Sequence, residues 1–491
     1  MSDTPGDETR IGVDQWVEQS EDRREKYTGW TAPARRMFDQ VSPGWRLALF
    51  LLAAAAYPFL VRGSDVRIGI TVLLLAMVAL GLNVVVGWAG LLDLGYVAFY
   101  GFGAYFYAIV ASDQLPAHWP TWAAIPVIVA TTALLGALLS LPSRRLVGDY
   151  LAIMTLFFAQ IFLELVRNFE RLPFVPDDLD LTGGPNGITG VEPWELFGFE
   201  INSQDLFGGV LPNFSRQYYL ALIFLALLIM GLHNLNESRT GRAWRALRED
   251  TLAAEHMTIP VNRMKLLAFA VGAGIAGLTG AMFAAVQIGV FPTSFTLFFL
   301  ITMYAAVILG GSGSIPGVVL GAIAIAYVPE LLRDPGKAGW LFYIGLGALL
   351  YVMVKRWDHV AVTVGSVFVF GLIVRFFSGR IWDESTMGEA NDAFMSRLMD
   401  DWVLILDAQR DVITNYVFVL AIVGVMLVVV ARAWWRIAAL VPTLYFAILV
   451  WENKLAFEPS ITRQLMFGAV LVVMMAVRPQ GLLGTRRVEI T

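Results

Sequence analysis

Apolar runs of close to 20 residues recur along almost the whole chain, separated by short polar breaks. A helix needs about 20 such residues to cross about 30 Å of hydrocarbon. The pattern predicts fourteen spans, near 45–61, 68–86, 93–111, 122–141, 150–166, 218–234, 265–286, 297–311, 314–330, 339–354, 358–377, 416–431, 434–450 and 464–477. No segments alternate apolar and polar positions in the manner of a membrane barrel. The expected fold class is therefore all-α, a polytopic transmembrane helical bundle of about 14 spans, with both termini on one side. Residues 1–44 interleave acids and bases, as from Glu21 to Lys26. They lack the basic start and apolar core of a signal peptide, and are expected in the cytoplasm.

The short loops orient the bundle. Arg144 and Arg145 lie in the loop at 142–149, six Arg or Lys in the loop at 237–265, and Lys355 and Arg356 in the turn at 355–357. All three fall on the same side by alternation, which the positive-inside rule makes cytoplasmic. The loop at 167–217 carries eight acids against three Arg and falls outside, as does the loop at 378–415 with the same counts.

Composition agrees with the pattern. With 57% hydrophobic and 15% charged residues, the chain has too few polar side chains to coat a soluble globule. A net charge of -5 gives no nucleic-acid signal. Zero Cys removes thiolate chemistry, and His118, His233, His256 and His359 show no ligand spacing, so no metal site is expected. The Gly-rich stretch from Gly310 to Gly317 lacks the Lys of a phosphate loop and lies between spans, where it breaks a helix. No nucleophile elbow or zinc pair is present, and catalysis has no visible home.

The loop at 237–265 is the exception to this economy. Between Thr240 and Pro260 it reads as a short helix, started by Ser238 or Thr240 and stopped by the proline. Trp244, Leu247, Thr251 and Ala254 make a narrow apolar stripe, with Arg245 and Glu249 on another face. Such a helix either floats among lipid headgroups or docks on a protein. The acidic Glu249 and Asp250 and the small Ala253 and Ala254 favour a protein. Within the span 265–286, Gly272, Ala276 and Gly280 recur every four residues, a row that lets helices approach closely in lipid. That row serves either a neighbour in this chain or a helix of another chain. Asn83, Gly87, Gly90 and Asp93 combine backbone freedom with polar groups. Asp93 either lies within the membrane or caps the span that follows it. The stretch from Leu181 to Ile188 is either a rigid turn for an external partner or a simple chain reversal.

Several stretches carry a resemblance. Glu249, Asp250, Ala253 and Ala254 in a cytoplasmic loop, followed by the run from Lys265 to Gly280, resemble the coupling loop and next span of branched-chain amino-acid ABC importer permeases of the LivM type. The stretches Gly81 to Tyr100, Gly148 to Thr155, Leu181 to Ile188, Leu309 to Gly317 and Arg478 to Gly484 are similar to the same family. Together they cover about 68–333 and 463–484 in the same order.

The resemblance implies that the loop helix fits a groove on a cytoplasmic ATPase. Glu249, Asp250, Ala253 and Ala254 then occupy the contact positions, flanked by Arg242, Arg245 and Arg248. It also implies two ATPase subunits that bind ATP and Mg, so that this chain holds no cofactor itself. A second homologous permease, an extracytoplasmic solute-binding protein and the lipid bilayer of a prokaryotic inner membrane complete the expected partners. Candidate residues of the translocation path are Asn83, Gly87, Gly90, Asp93, Thr155, Gly310, Gly311 and Gly313, on broken helices like those of other transporters. The chain departs from the family in two places. Thr258 stands where Gly is usual, which puts the local turn in doubt. About 130 residues at 334–462, with four expected spans, are inserted between the core at 45–333 and the last span and C-terminus at 463–491. The implied cargo is a branched-chain or other hydrophobic amino acid, with urea or short amides as the alternative. An ion-coupled secondary transporter, from a different class, would need several ionisable groups in its spans, and only Asp93 is a candidate.

Overall fold

The computed structural model describes residues 43–61, 63–112, 118–143, 149–168, 182–196, 199–201, 212–354, 357–381, 394–399, 402–404, 411–431 and 434–455, together with 465, 468 and 481. The chain divides into two compact units, Met1–Leu60 and Val61–Thr491. In the first, α1 (Pro43–Leu60) covers the first expected span. The second holds α2 (Gly63–Leu82), α3 (Tyr96–Val110), α4 (Thr121–Ser143), α5 (Asp149–Asn168), α6 (Ser215–Glu237), α7 (Arg239–Glu249), α8 (Thr251–His256), α9 (Val261–Gln287), α10 (Leu297–Gly310) and α11 (Ile315–Leu331). It continues through the expected insertion with α12 (Pro335–Val354), α13 (Trp357–Ile381), α14 (Phe394–Met399), α15 (Asp411–Val430) and α16 (Trp434–Val450). Thirteen of the fourteen expected spans are helices among the described residues. The fourteenth, at 464–477, lies outside them except for residues 465 and 468, and the basic loop at 144–148, Lys355 and Arg356, and residues 1–42 lie outside them altogether.

Seven helices among the described residues are long and apolar enough to cross a membrane, and several expected spans are shorter. With a rise of about 1.5 Å per residue, the 15 residues of α3 and the 14 of α10 extend only about 21–23 Å. Each is preceded by chain that is not α-helical, the stretch 89–95 before α3 and the stretch 288–296 before α10, the latter with a 3-10 turn at Pro292–Phe295. Both stretches are only partly buried, with Leu92, Ile288 and Phe291 exposed.

Helix α9 is the axis of the bundle and packs on α2, α3, α4 and α7. Its small residues face helices of this same chain. A Cβ added to Gly272 would meet Val85 Cγ2 at 2.6 Å, and one on Gly280 would run into the Tyr100 carbonyl. On the next row, a Cβ on Gly277 would strike the Thr132 side chain, while one on Gly136 would lie 2.6 Å from Ala273 Cβ. Lipid tails are as apolar as the side chains, so association rests on close packing, which these glycines permit. Gly280→Leu is expected to cost at least the 1–3 kcal/mol (about) of an overpacked site. Thermal unfolding in detergent checks this, and an unchanged midpoint would contradict the packing.

On the side opposite the 237–265 loop, the stretch from Thr182 to Ile188 is sewn into the bundle. Gly183 and Gly187 adopt φ of 66° and 71° around a 3-10 turn at Gly184–Asn186. β1 (Ile188–Thr189) then pairs antiparallel with β4 (Gly289–Val290), while β2 (Glu195–Leu196) and β3 (Phe199–Glu200) form a separate hairpin. Pro185 and Asn186 are exposed, but Thr182, Gly184, Gly187 and Ile188 are buried.

The inserted helices build their own apolar core from Val367, Trp402, Val403, Leu404, Tyr445, Ile448 and Leu449. Part of the acidic loop expected outside therefore folds inward at 402–404. The apolar triplet is buried and its backbone is served by side chains: Asn453 Nδ2 donates to the Leu404 carbonyl at 2.8 Å, and Arg375 Nη1 to that of Val403 at 3.4 Å. The Tyr343 hydroxyl donates to Glu452 Oε1 at 2.6 Å beside the stacked rings of Phe342 and Trp451.

Candidate functional site

The loop that follows α6 folds as two helices, in place of the single helix expected over 240–260. Ser238 is extended and starts α7, its Oγ accepting from Gly241 N at 3.3 Å. Asp250 stops it. Its backbone is extended (φ -153°, ψ 114°), and its Oδ1 accepts from Leu252 N at 2.8 Å and Ala253 N at 3.1 Å, which caps α8. Asp favours this arrangement because its short side chain competes with the helix for backbone donors. The break re-registers the apolar stripe. Trp244, Leu247 and Ala254 are buried as expected from periodicity, whereas Thr251 is turned out to the surface.

The turn after α8 survives the substitution of Thr for Gly. Thr258 adopts φ 63°, and the amides of Thr258 and Ile259 donate to the carbonyls of Glu255 and Ala254, both at 3.1 Å. A β-branched residue is strained there. Thr258→Gly is expected to relieve about 1 kcal/mol of strain, less what glycine loses in chain entropy. A raised unfolding midpoint checks it.

The loop has two faces. On the open one, Arg242, Arg245, Glu249, Asp250 and Ala253 are exposed, with Leu252 at 70% and Met257 at 75% exposure. Arg242 Nη1 donates to the Glu237 carbonyl at 2.8 Å and Arg245 Nη2 to that of Asn236 at 3.3 Å, so both satisfy the last carbonyls of α6. Ala254 differs from Ala253 in lying beneath this face, buried.

The inner face holds the ends of two broken helices. After α2 the chain widens into a π-helix at Asn83–Trp88, so Gly87 and Trp88 belong to this helical extension and not to the turn their composition suggests. The break comes at Gly90, with φ 70°, where a Cβ would lie 3.0 Å from Arg248 Cγ. The second break separates α10 from α11, with Gly311 at φ 107° and Gly313 at φ 94°. Asn83 joins the two breaks, its Oδ1 accepting from Gly313 N at 2.7 Å, and Trp88 Nε1 donates to the Gly313 carbonyl at 3.0 Å.

The loop is tied to both. Trp244 stacks on Trp88 with ring centroids 6.2 Å apart, and its Nε1 donates to the Met264 carbonyl at 2.8 Å. Arg248, expected to flank the docking face, points inward: Nη1 donates to the Gly87 carbonyl and Nη2 to Ser312 Oγ at 3.3 Å. Gly310 is a close-approach glycine, its missing Cβ leaving room for the backbone of Gly317.

Asp93 and Thr155 lie away from this cluster. Asp93 is fully buried between α5 and α10: Tyr304 donates to its carbonyl at 2.6 Å, and Gly95 N donates to its Oδ1 at 2.9 Å. Thr155 Oγ1 accepts from Leu94 N at 2.9 Å. Asp93 thus turns the chain just ahead of α3, whose N-cap is Gly95. Of the two alternatives posed for Asp93, the cap is not formed, since α3 starts at Gly95 without a side-chain cap, and the carboxylate lies buried in the protein.

Trp88, Ser312, Tyr304 and Gly481 escaped the sequence reading. The first two stood inside stretches that it singled out for their glycines. Gly481, in the stretch from Arg478 to Gly484, lies at φ 79° against the second break, where a Cβ would be 2.5 Å from Gly311 Cα.

No solved structure matches the chain. Two curated relatives, the high-affinity branched-chain amino acid transport system permease proteins LivM of Salmonella typhimurium and Escherichia coli, are each 37% identical over 322 residues, 62% of this chain and 72% of theirs. The probable branched-chain amino acid transport permease protein LivM of Methanocaldococcus jannaschii is 25% identical over 293 residues, 54% of this chain and 77% of its own. The family model described as branched-chain amino acid transport system / permease component matches residues 66–354, through α12, the first helix of the expected insertion. With a loop joined to two broken helices in a bundle of apolar helices, the chain belongs to that permease family, as a multi-pass inner-membrane subunit of an ABC importer whose ATP hydrolysis resides in separate subunits.

Proposed function

We propose that this chain forms half of the translocation path for a branched-chain or other hydrophobic amino acid, paired with a second homologous permease. The observation that carries the reading is the two-faced loop. Its open face presents Glu249, Asp250 and Ala253, beside the exposed Leu252 and Met257, side chains that a docked partner would cover. Its other face is bonded to the inner ends of two broken helices. In this reading, two ATPases that hold ATP and Mg grip the open faces of the paired permeases. An extracytoplasmic binding protein supplies cargo on the other side. About fourteen spans, with both termini in the cytoplasm, complete the topology. The cargo assignment rests on the named transport system of the relatives.

The test is co-purification followed by uptake. The full chain, expressed with its neighbouring genes, is expected to bring down an ATPase and a second permease. In liposomes the assembly is expected to accumulate leucine only with ATP and binding protein. Uptake of urea without leucine would move the cargo to small amides, and uptake driven by an ion gradient without ATP would overturn the reading.

A further inference from the structure

We propose that Arg248 is the positioning residue that makes the loop and the two helix breaks move as one piece. The proposal rests on the importer reading, and concerns how movement of the loop reaches the path. Three features of the geometry point to it. Arg248 sits one residue before the exposed Glu249, yet its guanidinium is directed into the protein, with one amino group on the Gly87 carbonyl and the other on Ser312 Oγ. Gly87 lies in the π-helix that leads into the first break and Ser312 in the second break, 225 residues further along the chain, so a single planar fork joins the two regions. The backbone has been cleared to let it do so. Gly90, at φ 70°, leaves room for Arg248 Cα and Cγ, and a Cβ on Gly313 would meet Nη1 at 3.0 Å.

The carbonyl of Gly87 lies in a π-helix, where the usual helical hydrogen bond is displaced, and a charged donor there strengthens a weak point of α2. The stack of Trp88 on Trp244 prevents the loop from sliding over the first break, while Asn83 and Trp88 hold the second break to the first. Pushing or pulling on α7 therefore displaces Gly87 and Ser312 together. A cargo path lined at these breaks would open or close with it.

The experiment uses the complete transporter in liposomes, with radiolabelled leucine as the probe and phosphate release measured in parallel. Arg248→Ala is expected to keep its ATPase on co-purification, because the docking face is on the other side of α7, while leucine carried per ATP falls at least tenfold. Arg248→Lys, with one compact ammonium in place of a fork, is expected to recover part of that ratio. Ser312→Ala, which removes only the second acceptor, is expected to lose an intermediate amount. A wild-type ratio in Arg248→Ala overturns the proposal. Should that variant fail to accumulate in membranes, wild-type ratios in both Arg248→Lys and Ser312→Ala overturn it. If no ATPase accompanies the unaltered chain, the importer reading itself fails, an outcome distinct from normal coupling in the variants.

Discussion

Glu249→Arg is expected to strip the ATPase from the purified complex and reduce leucine uptake to background. Glu249 is exposed at the last position of α7, so the substitution disturbs no packing. Surface changes of this kind alter stability by at most about 0.5 kcal/mol, and a cation suits a helix C-terminus better than an anion does. The fold should therefore survive with an unchanged unfolding midpoint. The interface is another matter. Reversing a charge that faces a complementary partner costs several kcal/mol, and each 1.4 kcal/mol (about) is tenfold in affinity, so a loss of at least about a hundredfold is expected. Pull-down of the ATPase checks the prediction. Normal assembly and uptake in the variant would remove Glu249 from the docking face.

Gly87→Val is expected to act from within. Valine is slightly the better helix former, which contributes a few tenths of a kcal/mol (about). Against that, the new Cβ would collide with Asn83 Oδ1 and lie 2.6 Å from Gly313 N. It forces apart the hydrogen bond that joins the two breaks. Overpacking of about 1–3 kcal/mol and a displaced buried amide of similar cost outweigh the gain in propensity. A lower unfolding midpoint and loss of uptake are the expected results, with Gly87→Ala milder in both. Unfolding and transport at wild-type levels would show that the breaks need not touch.

Much of this architecture was legible in the chain. A helix in lipid satisfies its own backbone, so each apolar run of sufficient length could be read as a span without its neighbours. The start of α7 at Ser238 and the burial of Trp244 and Leu247 followed from capping preference and helical period. The stretch from Leu309 to Gly317 announced a break through its glycines alone. Local rules failed where a polar residue had two local uses. Asp250 could continue a helix or cap the next one, and only the pair of helices shows the second choice. Asp93 could cap a span or be buried, and only the packing of α5 and α10 shows that it is buried while Gly95 begins α3 uncapped. The resemblance groups Arg248 with Arg242 and Arg245, and only the tertiary structure separates it from them by turning its guanidinium inward.

What the sequence by itself determined is the succession of long apolar helices, the place of the loop between α6 and α9, and the glycines where the chain must bend or approach closely. These depend on composition and periodicity within a few turns of chain. The tertiary structure decided which face of the loop is open and what its other face holds. Arg248 meets Gly87 across 161 residues and Ser312 across 64, and Asn83 meets Gly313 across 230. No short-range pattern encodes such contacts: they exist because α2 packs on α10 and α11 while α9 packs on both α2 and α7.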